Sequence, residues 1–144
     1  MLVQAILKNK GDDAVVTIAP GSTVQAAAEL LAARRIGAVV VSADGRRVQG
    51  MLSERDIVRE LGRRGPACLA DTVDRIMTAN ISTCIRADTA DAVLGRMTAG
   101  RFRHMPVVEG EEMVGLISIG DVVAARLAEL AMEKDALENM IRGF

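Results

Sequence analysis

The chain carries the same pattern twice, and this repeat restricts its possible folds more than any other feature. Thr17-Ile-Ala-Pro-Gly-Ser-Thr-Val aligns with Thr83-Cys-Ile-Arg-Ala-Asp-Thr-Ala, and Ile36-Gly-Ala-Val-Val-Val aligns with Phe102-Arg-His-Met-Pro-Val at the same offset. One residue then drops out in a turn, after which Gly50-Met-Leu-Ser-Glu-Arg-Asp-Ile-Val meets Gly115-Leu-Ile-Ser-Ile-Gly-Asp-Val-Val. A unit of about 60 residues buries little surface alone, so two such units are expected to pack as one pseudo-symmetric module.

Each repeat reads as strand, helix, strand, strand, helix, an α+β (α/β) unit. Val15–Ile18 and Ser82–Ile85 are the opening strands. Ser22-Thr-Val-Gln25 has the form of a capping box, and Asp88 is expected to open the matching helix. Val24, Ala27, Ala28 and Leu31 share a helical face, as do Ala90, Val93, Leu94 and Met97. Strands follow at Ala38–Ser42 and Met105–Val108, the first ending at the hairpin dipeptide Asp44-Gly45 and the second at Gly110. Val48–Leu52 and Met113–Ile117 return as strands, and Ser53 and Ser118 stand where a strand gives way to a helix. Gly62, Gly65 and Pro66 punctuate the connection, which sets the repeats at 1–66 and 67–144. A short helix precedes each repeat, at Val3–Leu7 and Val73–Met77. The last helix runs from Asp121 towards Arg142 with an apolar stripe of Leu127, Leu130, Leu137 and Ile141. Two coverings remain open for that stripe: the short N-terminal helix, or a second copy of the chain.

Composition narrows the function. Eighteen basic against 19 acidic residues give a net charge of −1, without the positive field of a protein that neutralises nucleic-acid phosphates. With two Phe and neither Trp nor Tyr, a stacking platform for single strands is not expected. No apolar run reaches the roughly 18–20 residues of a membrane span. The opening Met1-Leu2-Val3-Gln4 lacks the layout of a secretory signal, and the isolated Cys68 and Cys84 read as reduced, so a cytoplasmic protein is expected. His104 is the sole histidine, which argues against a zinc site and against a general acid–base set. No catalytic residue and no catalytic cofactor are expected.

The informative constellation is Gly50-x-x-Ser53-x-Arg55-Asp56 together with Gly115-x-x-Ser118-x-x-Asp121. One such Ser-x-x-Asp is an ordinary helix cap. Two copies, each behind a glycine at the same strand-to-helix junction, also fit anion binding: a first helical turn offers amides and positive potential to a phosphate. A carboxylate one turn further in accepts from two vicinal ribose hydroxyls, and Arg55 adds a cation.

On these residues the chain resembles the tandem cystathionine-β-synthase-type (CBS) domain pair, or Bateman module, from about Val15 to Leu127, and Met77-Thr78 fits as well. The resemblance implies a non-enzymatic cytoplasmic sensor that binds an adenosine-containing ligand (AMP, ADP, ATP, an NAD-type dinucleotide or S-adenosylmethionine) in clefts between its repeats. It implies homodimers and an effector protein that reads the ligand state. Carried onto this chain, Asp56 and Asp121 would hold ribose, and Ser53 and Ser118 would face phosphate. Arg55 and Arg103 would contact phosphate as well. The backbone around Ala38-Val39 and His104-Met105-Pro106 would read adenine, with Thr17 and Thr83 lining the sites. Ile119-Gly120 stand where the first copy has Glu54-Arg55, so the two sites are not equivalent. The contrasting expectation is a constitutive interaction or oligomerisation module in which both Ser-x-x-Asp pairs are caps alone.

Overall fold

The computed structural model describes residues 1–11 and 15–143. The first repeat runs β1 (Thr17–Ile18), α2 (Val24–Arg34), β2 (Ala38–Val41), β3 (Gly50–Ser53) and α3 (Glu54–Arg64). The second runs α5 (Ala90–Gly100), β4 (His104–Glu109), β5 (Glu112–Ser118) and α6 (Ile119–Ile141). Helices α1 (Val3–Lys10) and α4 (Val73–Ile76) precede them, and a 3-10 turn at Pro66–Ala70 follows α3. Mixed helices and small sheets make this an α+β protein.

The compact units do not follow a single cut of the chain. One holds α1, Thr83–Val108 and the chain from Gly115 onward; the other holds β1 through Ser82 together with Glu109–Val114. Each helical lead-in therefore packs with the repeat it does not precede. The Val24 amide donates to the Asp71 carbonyl (2.8 Å) and Val73 to Ser22 (2.8 Å), so α4 is tied to the start of α2. In the other unit Ala90 donates to Met1 (2.9 Å) and Val3 to Asp88 (2.9 Å), tying α1 to α5.

In the first unit to be formed by β1–β3, the sheet order is β1-β2-β3, with β2 parallel to β1 and antiparallel to β3. Val39, Val41 and Leu52 from the sheet meet Val24, Ala27 and Leu31 of α2, Ile57 of α3 and Val73 of α4 in one core. These are the apolar positions that helical and strand periodicity pick out. In the other unit Val3, Ile6 and Leu7 of α1, Val93 and Met97 of α5, Met105 and Val107 of β4, and Val122 of α6 are buried.

The opening strands are shorter than the sequence suggests, for a physical reason. In the first repeat the Val40 amide donates to the Val16 carbonyl (3.3 Å) and β1 is two residues long. The corresponding position in the second repeat is Pro106, which has no N–H to donate. There the expected strand Ser82–Ile85 reduces to a single parallel bridge between Cys84 and Val107, with the Cys84 amide on the Pro106 carbonyl (3.0 Å).

The helix starts also differ by one residue from expectation. Thr23, not Ser22, caps α2, its hydroxyl accepting from the Ala26 amide (3.1 Å), and Gln25 bonds Glu29 rather than closing a capping box. Ser22 is occupied in a turn and in the bond from Val73. Thr89, not Asp88, caps α5 (3.1 Å from the Ala92 amide), while the Asp88 carboxylate accepts from the Ile85 amide (2.9 Å) and from Arg96 (3.0 Å). Both helices end on an arginine in left-handed conformation, Arg35 (φ 53°) and Arg101 (φ 57°). A glycine-like geometry held by a larger residue at the same place in both repeats marks a shared chain reversal.

Candidate functional site

Each site begins with a strand that ends at the N-terminus of a helix. In the first, Ser53 closes β3 and caps α3. Its hydroxyl accepts from the Asp56 amide (3.3 Å), and the Asp56 carboxylate accepts in return from the Ser53 amide (2.9 Å) and hydroxyl (3.1 Å). This reciprocal box satisfies donors that a helix start leaves open. Asp56 is 8% exposed, and its other oxygen takes the Arg59 guanidinium at 3.3 Å. The Glu54 amide, first in the helix, donates to the Gly37 carbonyl (2.9 Å), which pins the tip against the start of β2.

The second site repeats the reciprocal amide bonds of this cap. Ser118 caps α6, with its hydroxyl on the Asp121 amide (3.1 Å) and the Asp121 carboxylate on the Ser118 amide (2.9 Å). The Ile119 amide donates to the Arg103 carbonyl (2.7 Å), matching the Glu54–Gly37 bond. One partner is new. Lys10, from the last turn of α1, places Nζ 2.9 Å from Asp121 Oδ2 and donates to the Leu116 carbonyl at 2.8 Å. Burial pushes the Asp121 carboxyl up, but the Ser118 amide and the Lys10 ammonium more than offset this and hold it below the usual carboxylate value.

Both glycines ahead of the motifs lie in close approach to a lead-in, and at Gly50 the approach is to backbone. A Cβ on Gly50 would lie 2.5 Å from Met77 Sδ and 2.9 Å from the Thr78 carbonyl oxygen. A Cβ on Gly115 would lie 2.7 Å from a Leu7 methyl. The residues that lean on them belong to the exchanged lead-ins, so each lead-in sets the position of the strand that ends in a serine cap.

The remaining expected residues divide between the two units. Thr17 opens β1, half-buried and paired with Val40. Ala38 and Val39 are buried in β2 opposite Ser53 and Leu52. Because β1 pairs only with Val40 and Val41, Ala38 lies past the end of the ladder on that side. Arg55 is exposed in the first turn of α3. In the other unit Met105 and Pro106 are buried in β4, His104 is half-buried at its start, and Arg103 is exposed just before it. Thr83 is half-buried, and its carbonyl accepts from Arg96 at 2.8 Å. Sequence reasoning missed Lys10 and Arg59 as partners of the two carboxylates. Arg59 was within reach of a helical i, i+3 reading; Lys10 is far from Asp121 in sequence and left no local signal.

Among the described residues no group of three or more His, Cys, Asp or Glu side chains is placed to hold a metal ion. No helix among them is long and apolar enough to cross a membrane.

Comparison with known proteins decides the family. The model of the CBS domain matches residues 12–63 and again 73–128. The chain is a CBS-domain pair. The CBS domain-containing protein CBSX3, mitochondrial, of Arabidopsis thaliana is 30% identical over 98% of this chain and 72% of its own length. The chain spans only 24% of another curated relative, CBSCBSPB2 of the same plant. Among solved structures, the CBS-domain containing protein ATU1752 from Agrobacterium tumefaciens is 43% identical with a TM-score of 0.83, over 88% of this chain and 99% of that one. The CBS domain protein PAE2072 from Pyrobaculum aerophilum, solved in complex with AMP, is 28% identical with a TM-score of 0.78, over 92% of this chain and 99% of that one. The CBS pair of this chain thus shares its fold with a protein that holds an adenine nucleotide.

Proposed function

We propose that this CBS pair is a regulatory module that binds an adenosine-containing ligand and has no catalytic step of its own. The observation that carries the reading is the duplicated carboxylate, Asp56 and Asp121, fixed by the same bonds at two helix tips. The cap uses Oδ2 of each carboxylate, which leaves acceptor capacity on Oδ1 for a ribose diol. Ser53 with Arg55, and Ser118 with Arg103, stand at the same tips for phosphate; Ala38-Val39 and His104-Met105-Pro106 offer backbone and apolar side chains to adenine. Thr17 and Thr83 line the respective sites. The AMP complex of the Pyrobaculum protein supports this class of ligand. Ligand changes the output only by its differential affinity for two states of the module, and the output passes to a partner protein.

Calorimetry with AMP, ADP, ATP, NAD and S-adenosylmethionine tests the proposal. Saturable heat with at least one of them is expected; none with any of them refutes it.

The oligomerisation reading has its own observation. Beyond Val122 and Ala125, which are buried, α6 exposes Leu127, Leu130, Leu137 and Ile141, the latter 85% exposed. Packing within the chain therefore buries only the first turns of α6. We place a homodimer seam on this stripe, whose spacings of three, seven and four residues keep it on one face of the helix, as helix pairing needs. Leu130→Glu with Leu137→Glu is expected to give a monomer in sedimentation; an unchanged mass rules the seam out. The free, buried Cys68 and Cys84 suit a cytoplasmic protein, which fractionation of the native host tests.

A further inference from the structure

We infer that Lys10 joins Arg103 as an anion-binding residue of the second site and makes that site select nucleosides bearing a phosphate. The inference rests on the reading of Asp121 as a ribose carboxylate. The second motif lacks the cation that Arg55 gives the first, because Gly120 stands in its place. The fold restores a cation at the same helix tip from another part of the chain: Lys10 Nζ lies 2.9 Å from Asp121 Oδ2.

The two carboxylates differ in what a diol must displace. Asp121 Oδ2 already accepts from both the Ser118 amide and Lys10. A diol that engages both carboxylate oxygens competes with Lys10 for Oδ2. The Lys10 side chain is 31% exposed and also donates to the neutral Leu116 carbonyl (2.8 Å), so a diol that takes Asp121 Oδ2 leaves its ammonium in place but without a charged partner. A 5′-phosphate supplies that partner; a neutral nucleoside or a cationic sulfonium does not. At the first site the counterpart is Arg59, 64% exposed and on the same helix as Asp56, which turns to water at little cost. The second site is therefore the one that discriminates by phosphate.

The test uses the full chain, with the NMR amide signals of Ser118, Gly120 and Asp121 reading the second site during titration with AMP and with adenosine. The unsubstituted chain is expected to prefer AMP by about tenfold or more, as a charge-assisted contact allows. Lys10→Met is expected to cut that preference by about fivefold or more, mainly through weaker AMP binding, while Lys10→Arg keeps it. Adenosine binding by Lys10→Met is expected to hold or tighten, which loss of fold would not give. A smaller cut in preference overturns the role of Lys10 and leaves nucleotide binding standing. No response to either ligand in the unsubstituted chain overturns both readings.

Discussion

Replacing Asp56 tests the double duty assigned to the motif carboxylates. In Asp56→Ala the Ser53 amide and hydroxyl lose the oxygen they donate to, at 2.9 and 3.1 Å, beside a site where the carboxylate is 8% exposed. Leaving one such donor unsatisfied costs about 1–3 kcal/mol, and loss of a helix cap is of the same order. Stability is expected to fall by about 2 kcal/mol, which for a chain of this size lowers Tm by roughly 4–8 °C. Asp56→Asn keeps an amide oxygen for the Ser53 amide and is expected to lose under about 1 kcal/mol. The asparagine has one acceptor oxygen in place of two, so its nucleotide affinity is expected to drop about tenfold even though the cap survives. Urea unfolding of both variants, paired with AMP calorimetry, separates the two roles. If Asp56→Ala unfolds at the same urea concentration as the unsubstituted chain, the capping box does not carry the load described. If Asp56→Asn binds AMP as tightly as the unsubstituted chain, the ribose role is refuted.

Gly50→Ala is expected to cost more than Gly115→Ala, within the roughly 1–3 kcal/mol of overpacking, because the first Cβ meets the Thr78 carbonyl and the second only a Leu7 methyl that can move. Equal costs in chemical denaturation would contradict the packing of the lead-ins. The Asp44 carboxyl is lowered from 3.8 to about 2, first by the Arg47 amide and then by the Arg46 amide (2.9 and 2.8 Å). A depressed acid stabilises above its unfolded value and loses that contribution as pH falls through the folded one. The Arg47 amide signal is therefore expected to titrate near pH 2, and a midpoint near 4 would refute the turn geometry. Burial pushes the Cys84 thiol up to about 11, so no reaction with a thiol reagent is expected at pH 8 until denaturant is added. Rapid labelling of Cys84 in the native chain would show that its bridge to Val107 opens.

What the sequence disclosed is what local spacing encodes. The repeat, the apolar faces of α2 and α5, and the serine caps at Ser53 and Ser118 all rest on residues within a few positions of one another. Three features escaped because they join distant segments. The lead-in helices each look adjacent to the repeat they precede, yet Val24 bonds Asp71 and Val3 bonds Asp88 across the exchange. Pro106 sits in a strand-like run, and only the pairing with Cys84 reveals that its missing N–H shortens the neighbouring strand. Thr23 and Thr89 cap the helices in place of Ser22 and Asp88: the Asp88 carboxylate is taken by the Ile85 amide and Arg96, and the Ser22 backbone is tied to Ala19 and Val73. At the site, serine, carboxylate and glycine were legible from their spacing, whereas Lys10 was not, since no periodicity links it to Asp121.

The most direct measurement is an NMR titration of the full chain with AMP, followed at the amides of Ser53, Asp56, Ser118 and Asp121. Saturable shifts at these amides, needing about tenfold more AMP in a chain carrying both Asp56→Asn and Asp121→Asn, are the expected result. Signals that stay in place through millimolar AMP in the folded, unsubstituted chain would leave both motifs as caps and nothing more.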